Sequence, residues 1–123
     1  MRVLVVDDDS IHLLILKKIF EKASAVVVLA RNGLEALKVL EQDSGFNVIL
    51  TDIMMPQMDG MELLSEIKKS KKCSSIPVIG FTAGDLEHFR NSSQNKFDVL
   101  VPKPMDLLNL YDLVKSKAIK DLN

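Results

Sequence analysis

The 123-residue chain has a single cysteine, Cys73, so neither an intrachain disulfide framework nor a cysteine cluster for zinc can hold it together. It has no excess of one charge: 16 basic residues face 17 acidic ones, for a formal net charge of −1. Without a basic surplus to grip phosphate backbones, direct binding to nucleic acid is not expected. Long apolar runs are missing too. The first run, from Val3 to Val6, stops at three aspartates and is too short for a signal-peptide core or a membrane span. Internal repeats, low-complexity tracts and long linkers are absent, although residues 119–123 are expected to fray. What remains is a hydrophobic fraction of 47% in a chain long enough for one domain and too short for two. A chain of this size buries roughly two-thirds of the surface its unfolded form exposes, so an ordinary apolar core suffices. These features predict a single reduced, cytoplasmic domain over residues 1–123, with no membrane association.

Short apolar runs alternate with segments of helical periodicity. Strands are expected at 2–6, 25–29, 47–51, 77–81 and 98–101. Between and after them fall helices at 10–22 (apolar at Ile11, Leu14, Ile15 and Ile19), 33–42, 60–69 and 107–118, with a weak Ser- and Asn-rich helix at 85–93. The strands read as continuous apolar runs, as strands buried on both faces do. Strict alternation predicts βαβ units: an α/β, doubly wound, five-stranded parallel sheet with helices on both faces.

In such a sheet ligands bind outside the carboxyl ends of the strands. The first strand ends in Asp7, Asp8 and Asp9, the third in Thr51 and Asp52, the fourth in Thr82, and the fifth in Pro102, Lys103 and Pro104. Asp9 precedes a helix and is read as an N-cap. Asp7 and Asp8, joined by Asp52, form a set of like charges that is costly unless a cation sits among them. Oxygen-only ligands suit a hard ion that keeps some of its water, and magnesium is the natural candidate. Carboxylates, a divalent metal, a lysine and a threonine are the components of phosphoryl transfer, and a carboxylate can itself be the nucleophile.

These residues sit in motifs that resemble the receiver domain of two-component response regulators over essentially the whole chain. The matching stretches are Val5-Val6-Asp7-Asp8-Asp9, Arg31-Asn32-Gly33-Leu34-Glu35-Ala36-Leu37, Thr51-Asp52-Ile53-Met54-Met55-Pro56-Gln57-Met58-Asp59-Gly60, Phe81-Thr82-Ala83 and Val101-Pro102-Lys103-Pro104. The resemblance implies a flavodoxin-like strand order of 2-1-3-4-5, and a switch driven by phosphorylation of Asp52 from a histidine kinase or histidine phosphotransfer protein. It implies that Asp8, Asp52 and the backbone carbonyl of Met54 bind Mg2+ directly, with Asp7 acting largely through water. Thr82 and Lys103 would each contact a phosphoryl oxygen, and Pro104 would follow a cis peptide. With no effector domain, output would pass to a downstream protein partner.

The sequence departs from the family at Leu100, where an aromatic is common. Signalling is therefore expected to run through the loop after Thr82, where Gly84 stands, and through the helix at 85–93. His12 is read as a partly exposed helix residue in preference to a ligand or phosphodonor. The basic run Lys68, Lys69, Lys71 and Lys72 is read as a solvated helix end, and Cys73 shows no partner that would activate it. The competing reading is a Mg2+-dependent phosphatase of the haloacid-dehalogenase type, which would use Asp7 as nucleophile within Asp7-Asp8-Asp9. A receiver surface that only binds is the third.

Overall fold

The computed structural model describes residues 1–82, 96–103 and 106–119. The expected helix at 85–93, with Gly84, and the peptide before Pro104 lie outside the described residues. Five parallel strands, β1 (Arg2–Val6), β2 (Val26–Ala30), β3 (Val48–Asp52), β4 (Val78–Thr82) and β5 (Val99–Pro102), form one sheet in the order β2-β1-β3-β4-β5. The described helices are α1 (Ser10–Lys22), α2 (Gly33–Gln42), α3 (Gly60–Lys69) and α4 (Leu107–Lys117).

Strand periodicity of two divides the core. Leu4, Val6, Ile49 and Val78 point to the face covered by α2 and α3, where they meet Leu40, Leu63, Leu64 and Ile67. Their neighbours Val3, Val5, Val48, Leu50 and Ile79 point to the other face and meet Leu13, Leu16 and Phe20 of α1 and Leu110 and Val114 of α4. The sheet is thus covered on both sides, as the alternating pattern predicts. None of the described helices is long and apolar enough to cross a membrane.

Strands β2 to β5 each run one residue later than the apolar pattern suggests. The residues left out at their starts close the sheet edge with other groups. Asn47 Oδ1 accepts from the Arg2 N–H at 2.7 Å, Asp98 Oδ2 accepts from the Val78 N–H at 2.7 Å, and Pro77 has no N–H to give. At the other end Asp52 and Thr82 are polar, yet their backbones remain in the ladder. Of the residues expected to fray, Ile119 is held in place, donating its N–H to the Asn47 carbonyl at 2.9 Å and accepting from Asn47 Nδ2, while residues 120–123 lie outside the described residues.

The α1 face turned to the core differs from the expectation. Leu13, Leu16 and Phe20 are buried, whereas Ile11, Leu14 and Ile15 are 71%, 51% and 40% exposed. This helix carries two apolar stripes. Asp9 caps it, its Oδ1 accepting from the Ile11 and His12 N–H groups at 3.0 and 3.2 Å, and so fixes its phase directly behind β1. Asn32, Asp59 and Asp106 cap the other helices; Asp59 and Glu62 form a reciprocal capping box.

Arg2 fastens the start of β1 to the α2–β3 connection. Its guanidinium pairs with both oxygens of Asp43, donates to the Gly45 carbonyl at 2.7 Å and lies 4.7 Å above the Phe46 ring centroid. The hydrogen bond from Arg2, helped by the Gly45 N–H, lowers the Asp43 carboxyl to about 2. Its folded-state value lies below its unfolded one, so the stabilisation is complete above about pH 4 and is lost as the pH falls towards about 2. Both side chains are a third or more exposed, which limits the pair to less than about 1 kcal/mol after screening. We expect Asp43→Asn to lose about 0.5 kcal/mol in urea titrations at neutral pH, the difference from wild type shrinking below about pH 4.

Candidate functional site

The chain leaves β1 towards β2 on one side, while β3 lies on the other, so the sheet has its switch point between β1 and β3. The strand ends deliver the expected residues to this edge. Asp7 and Asp8 follow β1, Asp52 and Thr82 end β3 and β4, and Lys103 follows β5. Asp7, Asp52 and Thr82 are buried and Asp8 is exposed. One oxygen from each of Asp7, Asp8 and Asp52 lies within 4.8 Å of the others. At an effective dielectric of about 20, a pair of unit charges at that distance repels by roughly 3 kcal/mol.

Among the described residues, Lys103 is the lysine or arginine that pairs with this cluster. Its Nζ is 3.2 Å from Asp52 Oδ2 and 3.8 Å from Asp7 Oδ2, and it lies 5.0 Å above the Phe81 ring centroid. Its backbone N–H donates to the Thr82 carbonyl at 2.8 Å, which anchors the residue to the end of β4. Burial pushes the Asp52 carboxyl above its ordinary range, and the Asp7 charge adds to this; Lys103 offsets the rise only in part. Burial also acts on Asp7, but there the hydrogen bonds from His12 and the Asp9 N–H, together with the charge of Lys103, outweigh it and leave the carboxyl below its ordinary value.

Two further residues reach the cluster: His12, which the sequence reading sets aside as a partly exposed helix residue, and Phe81, which it gives no role at the site. The His12 side chain is largely covered, bonded through Nδ1 to Asp7 Oδ2 and stacked on Phe81. The available signal was positional: five residues after Asp7, His12 sits in the first helical turn behind the acidic strand end.

The loop after Asp52 is held by close backbone approaches. The Gly60 N–H donates to the Ile53 carbonyl at 2.8 Å, and a Cβ at Gly60 would stand 2.6 Å from the Asp52 carbonyl oxygen. The Gly33 N–H donates to the Met58 carbonyl at 3.2 Å, and a Cβ there would stand 2.8 Å from the same oxygen. Arg31-Asn32-Gly33 is therefore a dock for the loop as well as a turn. Met54 projects its side chain into solvent, while Met55 is buried in the core. Cys73 is buried against α2 and α3. Of the basic run, Lys68 donates weakly to the Ser74 carbonyl at 3.5 Å and Lys69 stands 3.6 Å from Glu66.

The donor set fits magnesium. It is all oxygen, it carries more negative charge than Lys103 offsets, and Asp8 opens it to water. Among the described residues, no hydrogen bond or ion pair occupies the Asp8 carboxylate.

The model for the response regulator receiver domain matches residues 3–115, and the chain belongs to this family. It is 35% identical over 120 residues to an uncharacterised 14.6 kDa protein of Leptolyngbya boryana, covering 97% of this chain and 91% of that one. It is 30% identical over 118 residues to the polar-differentiation response regulator DivK of Brucella anthropi, covering 93% of each. Other relatives, among them a hybrid signal transduction histidine kinase of Dictyostelium discoideum, are far longer, and the chain spans only 7% to 43% of their lengths. A solved CheY-like receiver domain from Methanospirillum hungatei superimposes with a TM-score of 0.85 at 32% identity, over 94% of this chain and 91% of that one. The protein is a phosphoacceptor signalling switch of the receiver type, with the flavodoxin-like order expected, and nothing in these likenesses favours the phosphatase reading.

The raised Asp52 carboxyl has a consequence for stability. Its charged form is penalised in the folded state, so folding loses stability as the pH rises from the unfolded value of about 3.8 through the raised one. We expect Asp52→Asn to stabilise the metal-free protein at neutral pH by on the order of 1 kcal/mol, read as a higher Tm. The advantage should vanish below about pH 4.

Proposed function

We propose that Asp52 is the phosphoacceptor, that Asp8, Asp52 and the Met54 backbone carbonyl hold Mg2+ with Asp7 acting through water, and that Thr82 and Lys103 receive the phosphoryl oxygens. The observation that carries this reading is Asp52 itself, a buried carboxylate at the switch point, 3.2 Å from Lys103 and grouped with Asp7 and Asp8. The bound ion would supply charge neutralisation for the incoming phosphoryl group. An Asp52 carboxylate oxygen attacks the phosphorus of a phosphohistidine, an O–P bond forms, the N–P bond breaks, and its electron pair returns to the donor's imidazole. As an acyl phosphate, the Asp52 carboxyl no longer carries the charge that faced Lys103, and the ammonium is then free to pair with a phosphoryl oxygen. Thr82, buried at the adjacent strand end, offers its hydroxyl to another.

In this reading residues 1–123 form a single receiver domain that is modified rather than turning over a substrate, and it works in the cytoplasm. The donor is a histidine kinase or histidine phosphotransfer protein, and the readout is a downstream protein. The exposed Ile11, Leu14 and Ile15, which begin just after the acidic run, support a protein donor over a small molecule alone.

Intact-mass measurement after incubation with acetyl phosphate, with and without magnesium chloride, tests the assignment. One phosphoryl adduct is expected in the wild type with magnesium and none in Asp52→Asn. An adduct on Asp7 in that variant would support the phosphatase instead. Lys103→Ala should keep its fold while its amide spectrum responds far less than the wild type's to beryllofluoride.

A further inference from the structure

The fold delivers the imidazole of His12 to the carboxylate cluster. The Asp9 cap fixes the start of α1, and the His12 side chain reaches back towards the helix N-terminus, as helical side chains do. There Nδ1 meets Asp7 Oδ2. An ionised carboxylate can only accept, so Nδ1 carries the proton and donates. The ring lies against Phe81, with centroids 5.4 Å apart and planes inclined by 26°. Phe81 is 3% exposed and packed in the core, so it is a fixed wall.

Asp7 is therefore held at both oxygens: Oδ1 accepts from the Asp9 N–H at 2.9 Å, and Oδ2 accepts from His12. Lys103 stands 3.8 Å from that second oxygen, too far for a hydrogen bond, and 3.2 Å from Asp52 Oδ2. The two cationic or donor side chains have divided the carboxylates between them. His12 serves Asp7, and Lys103 is left to Asp52.

We infer that His12 is a positioning residue for magnesium: acting through Asp7, it fixes the carboxylate that orders the metal's water and keeps Lys103 available to the acceptor. The inference rests on the magnesium site proposed above. A carboxylate clamped at both oxygens by protein donors suits contact through water, and partners that orient such groups typically govern metal affinity by about tenfold or more.

The test compares the wild type with His12→Leu, His12→Asn and His12→Gln. The Asn amide nitrogen stands near the place of Nδ1, whereas the Gln amide nitrogen takes that of Nε2. Magnesium chloride is titrated while the backbone amides of residues 7–12 and 52–54 are followed, and phosphorylation by acetyl phosphate is timed at limiting and saturating magnesium. His12→Leu and His12→Gln should raise the magnesium Kd about tenfold, and His12→Asn should restore it to within about twofold. The Leu variant's rate defect should appear at limiting magnesium and disappear at saturation, a split that general loosening of the fold does not produce. Unchanged or tighter magnesium binding in the Leu variant, or in Gln should Leu fail to fold, overturns the inference alone. So does an Asn variant that folds with the wild-type Tm but remains as weak as Leu, since stacking rather than donation would then matter. A wild type whose amides ignore magnesium overturns the site reading first.

Discussion

Carboxylates do not gather of their own accord. Asp7, Asp8 and Asp52 are held within 4.8 Å of one another because β1 and β3 are adjacent, parallel and paired from Val3–Val48 to Val6–Thr51. That register places the end of one strand beside the end of the other, and the apolar residues on both faces supply the free energy that keeps it there. The repulsion at the edge, roughly 3 kcal/mol for a charge pair in such a setting, is small beside the burial of two core faces. Without the sheet, the cluster would fly apart; with it, the cluster becomes a demand for positive charge.

Several features follow from that demand. Lys103 is anchored by its backbone to Thr82, so its ammonium is presented to Asp52 at little further cost in chain entropy. The loop after Asp52 is packed closely at two places, by Gly60 against the Asp52 carbonyl and by Gly33 against the Met58 carbonyl, so it touches the starts of both α3 and α2. A ligand shifts a conformational equilibrium only by its differential affinity for the two states. Asp52 is a buried carboxyl whose ionised form the fold penalises, so a change of charge there is felt by the fold.

Most of this was legible in the sequence, for a physical reason. Parallel strands buried on both faces are apolar throughout, so a polar residue at the carboxyl end of such a run announces itself; Asp7, Asp52 and Thr82 were found in that way. The same reasoning placed β2 to β5 one residue early, since apolarity reports burial and not hydrogen bonding, and Asp52 and Thr82 belong to the ladder despite their polarity. The buried face of α1 was not legible, because Ile11, Leu14 and Ile15 and the set Leu13, Leu16 and Phe20 both satisfy helical periodicity. Only the cap at Asp9 and the exit direction of β1 choose between them. That choice also turns His12 inward, so its place at the cluster was hidden for the same reason.

The two buried carboxyls at this edge are chemically unlike, and the difference bears on which one accepts a phosphoryl group. Asp7 has an oxygen taken by the Asp9 N–H and the other by His12, and these donors stabilise its charge and draw off its electron density. Asp52 has its Oδ2 within reach of Lys103, while burial and the Asp7 charge hold its carboxyl above the ordinary range. A nucleophile needs an available lone pair, and both Asp7 oxygens already accept hydrogen bonds. A phosphatase that attacked through Asp7 would have to work against both of those hydrogen bonds. The environment of each group thus supports the proposed division of labour, with Asp7 as part of the cation's surroundings and Asp52 as the acceptor.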